Sequence, residues 1–304
     1  MCCVLGLLCT NTYATDDSEC IQLFYSSKYE DAFISCQKAC NLNDGDGCLG
    51  LGLLYEEGEG VRQDYSQAKT YYEKACNLND GGGCFALGFL YYKGKGLRQD
   101  YSQAKTYYEK ACNLSNGVGC FGLGVLYYEG QGVGQDYSQA KTYSEKACNL
   151  SYGDGCSLLG SLYRNGKGVR QDYSQAKIYY EKACNLDAGD GCTELSSLYF
   201  KDHDYSQAKI YSEKACNLNV GKGCVCLGFL YELIEQNYSQ AKIYYEKSCN
   251  LNYGDGCFGL GLLYDEGNGV RQNKNTAKEY YGKACDFGYQ KGCDKYRKLN
   301  EKGY

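Results

Sequence analysis

The chain has 304 residues and a formal net charge of −5, with 35 tyrosines and 22 cysteines but no proline and no tryptophan. Its lysines are spread one or two per repeat rather than gathered on one face, which argues against a nucleic-acid partner. A single histidine, His203, and the absence of any C-x2-C pair argue against a zinc framework or any other metal or cofactor site, so the cysteines read as disulfides of an oxidising compartment, secreted or periplasmic.

In chain order, residues 1–14 come first. Cys2 to Cys9 make a short apolar run, and Thr12 and Ala14 place small residues at −3 and −1 of a cut after Ala14. This reads as a signal peptide without its basic leading residues. No other run approaches the roughly eighteen apolar residues of a membrane span.

Residues 15–43 read as a degenerate helical hairpin. Cys20 and Cys36 flank it, Cys36 in the repeat position of Tyr72 and Cys20 in that of Gly50, and are expected to pin it shut.

From residue 44 to 288 one sentence of sequence recurs seven times, clearest from Asp64 to Gly96. Its ruler is C-x7-C, which sets Cys40 with Cys48, Cys76 with Cys84, Cys112 with Cys120 and Cys148 with Cys156. The same spacing sets Cys184 with Cys192, Cys216 with Cys224, Cys249 with Cys257 and Cys285 with Cys293. Successive first cysteines lie 36 apart as far as Cys184, then 32, 33 and 36. A fixed period of this size signals an all-α solenoid, in which each unit packs only on its neighbours.

Within a unit, Cys48, Leu51, Gly52 and Tyr55 fall at i, i+3, i+4, i+7 and predict helix A, from Cys48 to about Glu56, with a buried stripe. Gly58 and Gly60 are expected to take positive φ and turn the chain. Asp64 and Gln67 form a D-x-x-Q capping box for helix B, whose buried face carries Tyr65, Ala68, Tyr72 and Ala75. Helix B ends near Asn79, and the glycine-rich stretch Asp80 to Gly83 reads as the turn into the next helix A. C-x7-C would then bridge across that turn. A rival pairing within one hairpin, such as Cys48 with Cys76, stays open at this point. Units five and six lack the G-x-G and have shorter A-to-B connections, Tyr199 to Tyr205 and Tyr231 to Tyr238. Cys226 has no counterpart at Tyr245 and reads as a free thiol. Residues 289–304 read as a capping helix with a polar outer face.

A-x-x-L-G-x-x-Y-x-x-G-x-G-V followed by D-x-x-x-A-x-x-Y-x-x-A, here with Cys for the first Ala, resembles the Sel1-like repeat, a relative of the tetratricopeptide repeat. With one cysteine pair per repeat, about residues 20–295 are similar to the secreted Helicobacter cysteine-rich proteins. The resemblance implies a right-handed αα solenoid stapled by C-x7-C disulfides, secretion and, for some members, penicillin binding and slow β-lactam hydrolysis.

S-x-x-K occurs in frame at Ser66/Lys69, Ser102/Lys105, Ser138/Lys141, Ser174/Lys177, Ser206/Lys209 and Ser239/Lys242. In serine β-lactamases that spacing puts a lysine one helical turn from the nucleophile, but the S-D-N and K-T-G elements are missing here. Polar helix surface explains six copies better, and no catalytic residue is assigned. The stripe of helix A opposite the buried one varies instead from repeat to repeat, from Leu49/Leu53/Glu56 through Phe85/Phe89/Tyr92 to Ser157/Ser161/Arg164. Constant core and variable stripe predict a binding scaffold. Phe85, Phe89, Tyr92, Phe121 and Tyr128 are expected at the centre of a concave face that takes a protein or peptide, of the host or the cell envelope. The alternative is a weak penicillin-binding hydrolase with β-lactams as ligands.

Overall fold

A computed structural model describes residues 19–304, so the leader expected over 1–14 lies outside the described residues. All regular structure among them is helical. The order is α1 (Glu19–Tyr25), α2 (Tyr29–Asn41), α3 (Gly45–Glu57), α4 (Tyr65–Asn77), α5 (Gly81–Lys93), α6 (Tyr101–Asn113), α7 (Gly117–Glu129), α8 (Tyr137–Asn149) and α9 (Gly153–Asn165). It continues with α10 (Tyr173–Asn185), α11 (Gly189–Lys201), α12 (Tyr205–Asn217), α13 (Gly221–Leu233), α14 (Tyr238–Asn250), α15 (Gly254–Glu266), α16 (Lys274–Asp286) and α17 (Gln290–Glu301). Odd numbers from α3 to α15 are A helices and even numbers are B helices. The chain divides into two compact units, one up to Ala176 and one from Lys177.

In the first unit α3, α5 and α7 each pack on their own B helix, on the preceding B helix and on the A helices of adjacent repeats. That third contact explains why helix A is apolar almost all round: Leu49, Leu51, Leu53 and Leu54 of α3 are all buried. Helix B is amphipathic and buries only Ala68, Tyr72, Ala75 and Cys76 of α4. Gly58 and Gly60 take φ of 75° and 69° and turn the chain as the G-x-G predicts.

Two local expectations are corrected. Gly81 to Gly83 lie inside α5 rather than in a turn, and the positive φ falls on Asn79, at 64°. Gly83 is there for closeness: a Cβ on it would stand 2.4 Å from the Cβ of Ala75. The start of helix A therefore presses against the last turn of the preceding helix B. The capping box is also only half made. The Asp64 carboxylate accepts from the Ser66 and Gln67 amides, but the Asp64 amide donates to the Tyr55 carbonyl instead of to Gln67. The cap contributes about 1 kcal/mol.

Close approach of B end to A start decides the disulfides. In the first unit Cys40 is bonded to Cys48, Cys76 to Cys84, Cys112 to Cys120 and Cys148 to Cys156, with Cα–Cα separations of 4.4 to 4.6 Å. In the second, Cys184 is bonded to Cys192, Cys216 to Cys224, Cys249 to Cys257 and Cys285 to Cys293, at 4.5 to 4.6 Å. Every bridge spans the short turn from a B helix to the helix that follows it, so the rival pairing of Cys48 with Cys76 is not formed. Each closed loop of about nine residues contributes roughly 2.5 kcal/mol on the chain-entropy account.

Cys20 and Cys36 are bonded too. Cys36 does stand in the position of Tyr72, but Cys20 stands in that of Gly52, not Gly50. The Lys28 amide donates to Leu23 as the Asp64 amide does to Tyr55, which sets Leu23 in register with Tyr55 and Cys20 three residues earlier with Gly52. Gly50, of the next repeat, lies over this bond, since a Cβ there would be 2.5 Å from both sulfurs.

In the second unit the same socket holds Ser196 opposite Ser212, their hydroxyls 2.6 Å apart, where the first unit sets the Tyr72 ring against Gly52. Cys226 occupies the register of Gly50 and has no disulfide partner. Burial pushes its thiol up. The two short A-to-B connections turn on His203 and Gln236, at φ 63° and 51°, in place of the paired glycines. His203 is an exposed turn residue whose Nδ1 is 2.9 Å from the Tyr205 hydroxyl. The chain closes on α17, which buries Gly292 and Leu299 and leaves most of its other residues at least partly open.

Candidate protein-binding face

The A-helix stripe singled out by its variability is not an open surface in the first unit. Phe85 and Phe89 are only 3% and 5% exposed. The Phe85 ring stacks on Tyr108, centroids 5.5 Å apart, and abuts Phe89 at 5.9 Å. Tyr92 and the ammonium of Lys93 then cover Phe89. These two rings are packing, and the expectation that they present themselves to a partner is corrected. The cause is the Tyr108 ring of the paired B helix, α6, together with Tyr92 and Lys93 one turn on, contacts that the spacing within one helix does not register.

The other three stay half-buried. Tyr92 meets Tyr101 edge to face at 5.5 Å, Tyr128 meets Tyr137 in the same way at 5.5 Å, and Phe121 leans on Tyr152 at 5.4 Å. Lys167, between the glycines of the next loop, donates to the Tyr128 hydroxyl at 2.9 Å and lies over both rings of that pair. The register also contains Glu56, 1% exposed. It accepts from the Tyr72 hydroxyl at 2.8 Å and from Lys95 at 3.0 Å. A buried carboxylate with both oxygens paired is a staple between repeats rather than a recognition element.

The S-x-x-K lysines have a role that their spacing to serine hid. Lys69 and Lys105 form ion pairs with Glu73 and Glu109 one turn on, while Lys177 and Lys209 reach Asp202 and Glu235. Each also lies over a tyrosine of the following A helix, Lys177 over Tyr199 at 4.3 Å and Lys209 over Tyr231 at 4.2 Å. That tyrosine in turn stacks on one from its own B helix, as Tyr199 does on Tyr211 at 5.6 Å. The repeat-to-repeat column of lysine, tyrosine and tyrosine is legible only when one unit is laid on the next. Hydrogen bonds to Glu73, Glu109 and Glu235 hold the ammoniums of Lys69, Lys105 and Lys209 above their ordinary pKa. A lysine that activates a serine must lose its proton near neutral pH, which is the opposite direction.

Among the described residues no cluster of three or more His, Cys, Asp or Glu is placed to hold a metal ion, and no helix is long and apolar enough to cross a membrane.

The Sel1 repeat family model matches seven times, at residues 45–80, 82–116, 117–152, 153–187, 191–220, 223–253 and 254–289. The chain belongs to the Sel1 repeat family. Among solved structures it is similar to a protective antigen of uropathogenic Escherichia coli with this fold, at 26% identity and a TM-score of 0.66, covering 91% of this chain and 65% of that one. A Sel1 repeat protein of Oxalobacter formigenes superposes with a TM-score of 0.67 at 19% identity, over 97% of this chain and 90% of that one. Helicobacter pylori cysteine rich protein B is 35% identical over 48% of this chain and 99% of its own length, with a TM-score of 0.35. Comparison with curated proteins gives no match.

Proposed function

We propose that the chain is a protein-binding scaffold of an oxidising compartment, secreted or periplasmic, whose partner rests on the side chains that the A helices leave open. Sel1 repeats generally mediate protein–protein contacts. The observation that carries the reading here is the split between frame and stripe. Cysteines, capping residues, stacked tyrosines and the alanines of helix B recur from repeat to repeat, whereas the A-helix positions of Leu49, Leu53 and Glu56 vary among apolar, aromatic, small polar and charged side chains. Where that stripe stays partly open, as at Tyr92, Phe121 and Tyr128, its variation supports an extended surface read by one partner. In the first unit the contact falls to Tyr92, Phe121 and Tyr128, with a component of the host or the cell envelope as partner. Nine disulfides among the described cysteines support the compartment.

The β-lactam reading has the resemblance for support and no placed nucleophile. One experiment separates the two. Oxidised protein is crosslinked in the extract of the compartment it is exported to, and incubated separately with benzylpenicillin under intact-mass analysis. The scaffold reading expects a discrete crosslinked partner, weakened at least tenfold by joint substitution of the open A-helix side chains, and no acyl adduct. An adduct abolished when the six S-x-x-K serines are replaced by alanine reverses the assignment.

A further inference from the structure

The A-helix face of the second unit carries an apolar patch with no counterpart in the register of the other repeats. Phe229 of α13 occupies the position of Phe89 but is 41% exposed, and its ring lies 5.8 Å from that of Phe200 on α11. One turn on, Leu233 is 54% exposed. At its register the other repeats carry Glu57, Lys93, Glu129, Asn165, Lys201 and Glu266, all polar. Ile234 then extends the patch into the shortened connection, where most repeats place glycine.

Exposing large apolar side chains in contact with one another is costly in water, and their concentration beside a deleted loop marks a contact surface. Charge says what covers it. Glu232 lies between Phe229 and Leu233 on the same helix; it accepts from the Tyr245 hydroxyl at 2.6 Å and has no ion pair among the described residues. Glu266, exposed, stands in the register of Leu233 on the next A helix, α15, and its carboxylate accepts from the side-chain amide of Asn268. Lys201 stands in that register on the other side, on α11.

We propose that this patch is the docking site for a basic amphipathic segment of a partner protein, whose apolar side chains cover Phe200, Phe229 and Leu233 and whose Lys or Arg meets Glu232 and Glu266. The proposal rests on the scaffold reading and places its strongest contact in the sixth repeat.

The test uses the full oxidised chain and two fluorescent model peptides, one of leucine and lysine at helical spacing and one of leucine and glutamate in the same pattern, followed by anisotropy. The leucine–lysine peptide should bind and the leucine–glutamate peptide should bind at least tenfold more weakly. Phe229→Ser with Leu233→Ser should weaken the first at least tenfold. Glu232→Gln with Glu266→Gln should weaken it several-fold and flatten its salt dependence, with Gln still able to accept from Tyr245. Circular dichroism checks that both variants keep the fold. Equal binding of both peptides, or binding unaltered by the serine pair, overturns the proposal. If binding is lost instead on Tyr92→Ser with Tyr128→Ser, the patch is wrong while the scaffold reading stands. A dimer that the serine pair dissolves shows a second copy to be the occupant, which also overturns it.

Discussion

Phe89 and Phe229 hold one position of one repeat in two units, and their surroundings differ. Phe89 sits on Phe85 and under Tyr92 and Lys93, whereas Phe229 has Val225 one turn before it and Glu232 and Leu233 after it. The frame around them is shared: a C-x7-C bridge, a lysine over a tyrosine, and a tyrosine pair. Burial at this register is thus set by the neighbouring side chains, not by the frame. The same position is packed shut in one repeat and left open in another.

The largest expected effect breaks that comparison if it fails. Phe89→Ala should cost about 3 to 5 kcal/mol, as for a buried ring, and Phe229→Ala less than about 1 kcal/mol, read from urea unfolding under oxidising conditions. Next, the shared frame should respond alike in both units. Removing Cys76–Cys84 or Cys216–Cys224 by paired alanine substitution should cost about 2 to 3 kcal/mol in either case, and unequal losses would show that the frame is not equivalent. Smaller still is the half-made cap. Asp64→Ala should cost about 1 kcal/mol, while Gln67→Ala stays within about 0.5 kcal/mol because Gln67 lends only its amide.

The subtlest is the acid limb that Asp265 gives the second unit. Burial pushes the Asp265 carboxyl up, but hydrogen bonding and charge from Lys274, with Lys295 beside it, outweigh that and hold it below its ordinary value. A depressed carboxylate contributes stability above the unfolded value of about 3.9 and loses it as pH falls through the folded one. Asp265→Asn should therefore flatten the acid side of the stability profile of this unit, read from hydrogen exchange of α15 and α16, and leave α3 to α6 unaltered.

The sequence shows the fold almost completely, because its determinants act over short separations along the chain. Cysteine spacing, the G-x-G glycines and the helical stripes each report on a neighbour fewer than about twenty residues away. It misleads wherever the determinant is a packing contact with another helix. Gly83 looks like a turn residue until Ala75 stands against it, and Ser66/Lys69 looks like catalytic spacing until Lys69 is found over Tyr91. Phe85 and Phe89 look like a face because their cover is tertiary: Tyr108 of the paired B helix lies on Phe85, and Tyr92 and Lys93 lie against Phe89. The exposed patch has its own signal in the sequence, the lone leucine at 233 in a column of polar residues. Variation along the stripe alone cannot tell a repacked core from an open surface; polarity at the register one residue beyond it can.

Hydroxyl-radical footprinting of the native oxidised protein tests the central claim most directly, since Phe85, Phe89, Phe229 and Leu233 are read in one experiment. Rapid modification of Phe229 and Leu233 with Phe85 and Phe89 protected is the predicted result. Equal rates at Phe89 and Phe229 would contradict the account.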